Sequence, residues 1–441
     1  MSDWGATHST IDSANNGLDQ EMPLAEFFGA PLKKAVEDGK VTVATIDGHV
    51  RNVLVPMFRQ GLFDRQQPGN WDTEVRSPDH AAFSRLVAEQ GTILLKNQGS
   101  LLPLRRDVSI AVSGVAGTTK PKGEGGGSSE VVAPYIVSRL DGISKRGTGK
   151  VASADGNDIA AAVSVARAAN VAIVFACTEE SEGDDRPDLK LPNNQDDLIA
   201  AVAAVNKETI VVLDTGGPVL MPWINQVAGV IEAWYPGQED GNAIAAILYG
   251  DVNPGAKLPL TIPRSADKIP TASLEQWPGV GGHSQYTEKL NVGYRWYDAT
   301  KSAPLFPFGF GLSYTTFKVG NLAVTPGKLT TATAPIEATV SLDVTNTGKR
   351  AGAEVVQVYV GHPAANGEPP HQFRAFAKVT LNAGETRPVT LTLDQRSFSI
   401  FDSNTDCWTV KSGTYEILAG TSSRDLPLHS EVRVERTLAS R

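Results

Sequence analysis

The spacing of apolar positions divides this chain into stretches of different period. Over residues 1–64 the spacing is helical: Ile46, Val50, Val53, Leu54 and Met57 recur across 45–60, and Gly61 stops them. Leu32–Glu37 predicts a second helix. Ser9 and Thr10 stand where they would cap a third, running to Asn16 and closed by Gly17. Leu18–Met22 is a short extended candidate ended by Pro23. Residues 65–79, with Gln66, Gln67, Pro68, Gly69, Asn70, Ser77 and Pro78, have the composition of a linker.

From 80 to 264 apolar runs alternate with amphipathic stretches. Strands are expected at Thr92–Lys96, Ser109–Ser113, Val171–Ala176, Thr209–Leu213 and Val227–Ala233, and helices at Ala81–Gln90, Asp158–Ala169, Asn194–Asn206 and Asn242–Tyr249. Continuously apolar strands separated by helices predict an α/β sandwich with a mostly parallel sheet covered on both faces. Its chemistry belongs in the loops after strand ends, here 177–192 and 215–218. Residues 265–316 are irregular and rich in Pro, Gly and aromatics. They carry too many large apolar groups for a free linker and are expected to pack down. From 317 to 441 the period becomes two, as in Ala338–Val344, Val355–Val360 and Val389–Leu393. Roughly seven short strands of this kind predict a β-sandwich of immunoglobulin or fibronectin type.

Composition narrows the function classes. The chain has 441 residues, 41% hydrophobic and 20% charged, with a formal charge of −9. That balance argues against nucleic acid or an anionic membrane as partner. No apolar run reaches the roughly 20 residues of a bilayer span. No signal-peptide pattern opens the chain, so a cytoplasmic location is the expectation. Cys177 and Cys407 lie far apart, which predicts no disulfide, and the seven histidines show no metal-ligand spacing.

The loop Thr178–Asp188 packs six carboxylates and Arg186 into eleven residues. Crowding of this kind raises some carboxyl pKa values, while Arg186 keeps a neighbouring acid ionised; a solvated acidic loop has the same composition. Gly123–Ser129 lacks the Walker lysine and reads as a flexible turn near a cleft. There is no Gly-x-Ser-x-Gly elbow, which counts against an α/β-hydrolase.

Several stretches occur together in a fixed order. They are Ser2-Asp3-Trp4-Gly5-Ala6-Thr7-His8, Gly17-Leu18-Asp19-Gln20-Glu21-Met22-Pro23, Gly126-Gly127-Ser128 and Ser181-Glu182-Gly183-Asp184-Asp185-Arg186-Pro187. Trp234-Tyr235-Pro236-Gly237-Gln238-Glu239, Gly250-Asp251-Val252-Asn253-Pro254 and Gly293-Tyr294-Arg295-Trp296-Tyr297-Asp298 follow. In this order the chain resembles glycoside hydrolase family 3 of the β-glucosidase type over essentially its whole length.

The resemblance implies a retaining β-glycosidase that acts on terminal β-D-glucosyl residues of a β-glucoside or oligosaccharide and needs no cofactor. It makes Asp3 the nucleophile and Glu182 the acid/base, with Glu180 and Glu179 as weaker candidates. Trp4 would wall the sugar subsite and Arg186 would contact substrate. Retention requires the two carboxyl groups roughly 5–5.5 Å apart. In the family a complete (β/α)8 barrel precedes the second domain, and Met1 falls inside the motif at the end of its seventh strand. Residues 1–64 are therefore expected to be the barrel's C-terminal remnant, docked or disordered, with Asp3 near a frayed end. A second copy of the chain, or a complementing barrel fragment, would supply what is missing. The alternative is a catalytically impaired fragment serving as a carbohydrate-binding or structural module.

Overall fold

The structure, a computed structural model, describes residues 1–66, 69–70, 72–119, 123–326, 328–329 and 336–440. Of the linker stretch, Gln67, Pro68 and Trp71 lie outside the described residues. The chain forms two compact units, Met1–Arg76 and Ser77–Arg441.

The first unit holds α1 (Ile11–Asn15), α2 (Ala30–Glu37) and α3 (Val43–Arg59). Thr42 caps α3 by accepting from the Thr45 amide at 3.0 Å, as an N-cap hydroxyl should. Thr10 sits at the start of α1 but makes no such cap. Its hydroxyl donates instead to the Phe27 carbonyl at 3.1 Å, because the chain returns there from a distance the local pattern does not reveal. Ala14, Leu32, Ala35 and Val41 form a small core against Ile11, Phe28, Val36 and Ile46. The buried His49 ring meets the Ala14 carbonyl at 3.0 Å. The expectation of a frayed Asp3 is corrected. Ser2 N donates to Gln20 O at 2.8 Å, Gly5 N to Met22 O at 3.1 Å, and Met22 N to Ser2 Oγ at 2.9 Å. Residues 2–5 are thus zipped to 20–22 on both sides of Asp3.

The second unit opens with α4 (Pro78–Gly91), which begins inside the span read as linker, with Ser77 as its cap. A six-stranded sheet follows: β1 (Ile93–Asn97), β2 (Ile110–Ser113), β3 (Val151–Ala154), β4 (Val171–Cys177), β5 (Thr209–Asp214) and β6 (Gly229–Glu232), in the order β1-β6-β5-β4-β2-β3. All neighbours run parallel except β1, which pairs antiparallel with β6 at the edge. Helices α5 (Val115–Thr118), α6 (Arg139–Arg146), α7 (Ile159–Arg167), α8 (Gln195–Val205) and α9 (Asp240–Leu248) connect them. Central strands buried on both faces explain the unbroken apolar runs: β4 is buried over Val171–Ala176 and β5 throughout. The sequence reading lacked α6 and β3. The first reads Arg-Leu-Asp-Gly-Ile-Ser-Lys-Arg, with only two large apolar residues, and the second, Val-Ala-Ser-Ala, is a half-exposed edge strand with one.

Residues 265–316 contain one helix, α10 (Tyr294–Ala299), and pack down only in part: nearly all of 271–291 is exposed, Leu274, Val280 and Tyr286 included, so the expectation that the whole stretch packs down is corrected. Leu312 N donates to Leu94 O at 2.8 Å, adding a bridge to the sheet's edge strand. Beyond them, β7 (Phe317–Thr325), β8 (Lys328–Leu329), β9 (Ala338–Asn346), β10 (Gly352–Gly361), β11 (Gln372–Leu381) and β12 (Thr386–Leu393) begin the sandwich. It continues with β13 (Ser399–Asp402), β14 (Cys407–Val410), β15 (Gly413–Gly420), β16 (Leu428–Val434) and β17 (Leu438–Ser440). These form sheets β11-β10-β15-β16-β8, β12-β9-β7 and β13-β14-β17. Strand β9 alternates buried and half-buried residues without a break, so Val340, Leu342 and Val344 enter one core with Val358, Val360, Ile417 and Val432. Each such side chain contributes about 1.5–3 kcal/mol by leaving water. The short β8, β13, β14 and β17 exceed the seven strands expected; pieces of two to four residues are too short to show a period. A buried ion pair, Lys257 Nζ to Glu354 Oε1 at 2.7 Å, ties the sandwich to the α/β part.

Beneath the sheet's carboxyl end, Arg139 is fully buried between Asp214 at 2.7 Å and Asp240 at 2.7 Å. Burial pushes Asp240 up to about 6 and Asp214 well above the ordinary aspartate value, against the pull of Arg139. One guanidinium cannot fully compensate two carboxylates. A folded-state pKa above the unfolded one means stability present below the ordinary value near 3.8 and lost as pH rises through about 6. Wild-type stability relative to Asp240→Asn is therefore expected to fall by on the order of 2 kcal/mol between about pH 4 and 6.5. Urea midpoints of both proteins across that range check this; a difference that does not change with pH would contradict it.

Candidate active site

Glu182 stands on the loop after β4, at the carboxyl end of the sheet. Backbone pairing holds that loop to the glycine run 123–129. Gly126 N donates to Glu180 O at 2.9 Å, and Gly126 bridges Ser181. Gly127 takes φ +90°, and a Cβ there would come within 2.5 Å of the Glu182 Cβ. The run is glycine because the two loops touch backbone to side chain. Ser128 then grips the carboxylate: its amide donates to Glu182 Oε2 at 2.8 Å, and its hydroxyl donates to the same oxygen. Glu180, Ser181, Glu182, Gly126, Ser128 and Tyr235 line an open cleft of roughly 420 Å³.

The hydrogen bonds from Ser128 hold the Glu182 carboxyl below its ordinary value. Crowding in the acidic loop was expected to raise some carboxyls and Arg186 to hold a neighbour ionised, with neither assigned to Glu182; the exposed acids of the loop spread into solvent, where like charges are screened. Replacing Ser128 by Ala is expected to return Glu182 toward the ordinary glutamate value. Carbon-detected titration of labelled glutamates would show it, and an unmoved Glu182 resonance would contradict it. Ser128 was legible only as part of a glycine-rich turn; nothing local in the sequence pairs it with a residue 54 positions away.

Glu180, two residues earlier, is differently engaged. Its Oε1 accepts from the Thr178 hydroxyl at 2.6 Å and the Gly216 amide at 3.2 Å, with Arg186 Nε at 3.5 Å. It braces the loop after β4 against the loop after β5. Tyr235 assists by donating to the Thr178 carbonyl at 3.1 Å. Arg186, expected to contact substrate, donates through Nη2 to the Pro218 carbonyl at 2.9 Å, and its Nη1 is buried without a hydrogen-bond partner. Glu179 is exposed.

Asp3 and Trp4 belong to the first unit. Asp3 is exposed, and its Oδ1 accepts from the Trp4 amide at 2.7 Å. Trp4 pairs with Met22 through its backbone while its side chain is left in the open, 62% exposed. An indole that is not packed into a core is available as a flat apolar surface. Among the described residues no group of three or more His, Cys, Asp or Glu is arranged to hold a metal ion. Cys177 and Cys407 are not joined in a disulfide, and no described helix is long and apolar enough to cross a membrane.

Glu182 thus stands on a strand-end loop of an open α/β sheet that is joined to a β-sandwich, the two-part architecture that the comparisons identify. Residues 92–314 match the Glycosyl hydrolase family 3 C-terminal domain, and residues 354–423 match the Fibronectin type III-like domain. The chain belongs to glycosyl hydrolase family 3. It is 37% identical to Probable beta-glucosidase L of Aspergillus terreus, over 98% of this chain and 66% of that protein. It is also 37% identical to thermostable beta-glucosidase B of Acetivibrio thermocellus, over 100% of this chain and 59% of that protein. The crystal structure of DesR, a beta-glucosidase from Streptomyces venezuelae in complex with D-glucose, superposes with a TM-score of 0.87 at 32% identity. It covers 98% of this chain and 71% of that one. The chain thus spans about three fifths to two thirds of the length of these curated relatives.

Proposed function

We propose that the chain acts as a retaining β-glycosidase of the β-glucosidase type on terminal, non-reducing β-D-glucosyl residues. The observation that carries this reading is the open cleft in which Ser128 presents Glu182, on a chain of this family. In the first step the Asp3 carboxylate attacks the anomeric carbon. The bond to the leaving oxygen breaks as Glu182 delivers a proton to it, leaving a glycosyl ester on Asp3. In the second step the Glu182 carboxylate takes a proton from water, and the water oxygen attacks the anomeric carbon and frees Asp3. The resting hydrogen bonds favour ionised Glu182, the form needed in the second step. A leaving oxygen that displaces Ser128 from Oε2 removes those bonds and desolvates the carboxyl, and both changes raise its affinity for the proton needed in the first. Trp4 offers its ring to the C–H face of the pyranose. Arg186 serves by bracing Glu180 and the Pro218 loop.

Hydrolysis of an aryl β-glucoside by the purified chain, beside Asp3→Asn and Glu182→Gln, tests the reading; activity that survives both changes contradicts it. The exposed indole of Trp4 favours one second reading, a carbohydrate-binding module without turnover. Calorimetry with glucose and cellobiose separates the two: heat of binding without hydrolysis would favour the module.

A further inference from the structure

The loop that carries Glu182 has two sides. Residues 180–182 face the cleft already described, whereas Thr178, Glu179, Arg186 and Asp188 wall a larger crevice of roughly 610 Å³. This crevice lies over the carboxyl ends of three strands, touching Gly114 after β2, Asp155 after β3 and Cys177 at the end of β4. The chain runs outward from β2 to β3, returns to β4 on the other side of β2, and continues through β5 to β6. The direction of winding therefore reverses between β2 and β4. Open α/β sheets bind ligands at that reversal, and the volume suits a small molecule.

We propose that this crevice is a second binding site, for a neutral, hydroxyl-rich molecule of monosaccharide size. Its walls offer hydrogen-bonding groups of every kind that the protein itself leaves unused. The side chains of Glu179, Lys190, Asn193 and Asn194 line the crevice and make no hydrogen bond to other described residues. With three carboxylates (Asp155, Glu179 and Asp188), two cations (Arg186 and Lys190) and the amides of Asn193 and Asn194, the lining is close to charge-balanced and does not select an ion. It suits hydroxyls, which donate and accept through the same atom. Two other ligand classes fit poorly. Among the described residues no aromatic ring lines the crevice to stack a nucleobase. The glycines that would cradle a phosphate are already covered by protein: a Cβ on Gly114 would lie 2.0 Å from the Phe175 carbonyl oxygen, and one on Gly156 would lie 2.6 Å from Leu198. Because one loop walls both cavities, a sugar in the crevice bears on the backbone that presents Glu182. The choice of glucose as the probe rests on the glycosidase reading; the site itself does not.

The test is a titration of D-glucose into the full chain, followed by the methyl resonances of Val115, Leu191 and Leu198, which line the crevice. Saturable shifts at millimolar glucose are expected. Glu179→Ala with Asn194→Ala, both exposed positions whose change leaves the fold intact, should weaken them at least about tenfold, or about 1.4 kcal/mol. Asn157→Trp, which fills the mouth, should abolish them, and Glu182→Gln should leave them unchanged. Shifts that do not saturate, that survive the crevice variants, or that vanish with Glu182→Gln would overturn the inference, as would saturation by inorganic phosphate where glucose gives none. Aryl β-glucoside hydrolysis is scored separately. Hydrolysis without crevice shifts removes this inference alone, and crevice shifts without hydrolysis remove the catalytic reading alone.

Discussion

Asp3→Asn and Glu182→Gln are each expected to lower kcat/KM on phenyl β-glucoside by about 10³-fold, with the fold intact. The two losses should differ in kind. An amide at position 3 cannot form the glycosyl ester, so every substrate is affected alike. An amide at 182 cannot give or take a proton, which costs about 10²–10⁴-fold where the leaving group needs protonation. In kcat/KM, which reports the first step alone, it costs much less for a dinitrophenyl glucoside, whose departing oxygen is already a weak base, while kcat still falls because the second step lacks its base. Steady-state rates for phenyl and dinitrophenyl glucosides with both variants check this. Equal losses in kcat/KM on the two substrates for Glu182→Gln would remove it from the acid role. Both side chains are exposed, and neither belongs to a buried core, so neither change is expected to move the denaturation midpoint by more than a few tenths of a kcal/mol.

The largest stability effect is expected at Arg139, which touches none of these groups. Its side chain is fully buried, with Asp214 and Asp240 each 2.7 Å away and the Ala116 carbonyl accepting at 2.9 Å. It also lies over the Phe175 ring, 5.0 Å from the centroid. Arg139→Ala leaves two carboxyl groups buried without a cation, and removing one partner of a buried ion pair costs about 3–5 kcal/mol. Part of the penalty is avoided because both acids can take up protons, so the loss should shrink below about pH 5. Chemical denaturation at neutral and acid pH measures it. A loss under about 1 kcal/mol at neutral pH would mean that the triad is not holding the α/β part together.

The sequence revealed the parts of this molecule that repeat a period and hid the parts that depend on distance. Strands β4 and β5 are buried on both faces, so their apolar runs announced a parallel sheet, and β9 announced the sandwich through strict alternation. Helix α6 buries Arg139, Gly142 and Ile143 on one face, but only Ile143 of these is a large apolar residue, and the partners of Arg139 lie 75 and 101 positions away. The same limit governs the site. Glu182 was legible through its motif. Its grip by Ser128, the bracing of Glu180 by Gly216, and the occupation of Arg186 by Pro218 all join residues that only the folded sheet brings together. The pairing of Ser2 and Gly5 with 20–22, which steadies Asp3, is of the same kind. Local charge crowding therefore could not give a direction for the Glu182 carboxyl. The deciding contact was two hydrogen bonds from a distant loop, in solvent that screens the neighbouring acids.

The central claim is that Asp3 carries the sugar between the two steps. Treatment of the chain with a dinitrophenyl 2-deoxy-2-fluoroglucoside, whose glycosyl-enzyme forms but hydrolyses slowly, followed by peptide mass spectrometry, tests it most directly. The account predicts one fluoroglucosyl group on the peptide bearing Asp3, and none in Asp3→Asn. A label on any other residue, or steady hydrolysis with no label at all, would contradict it.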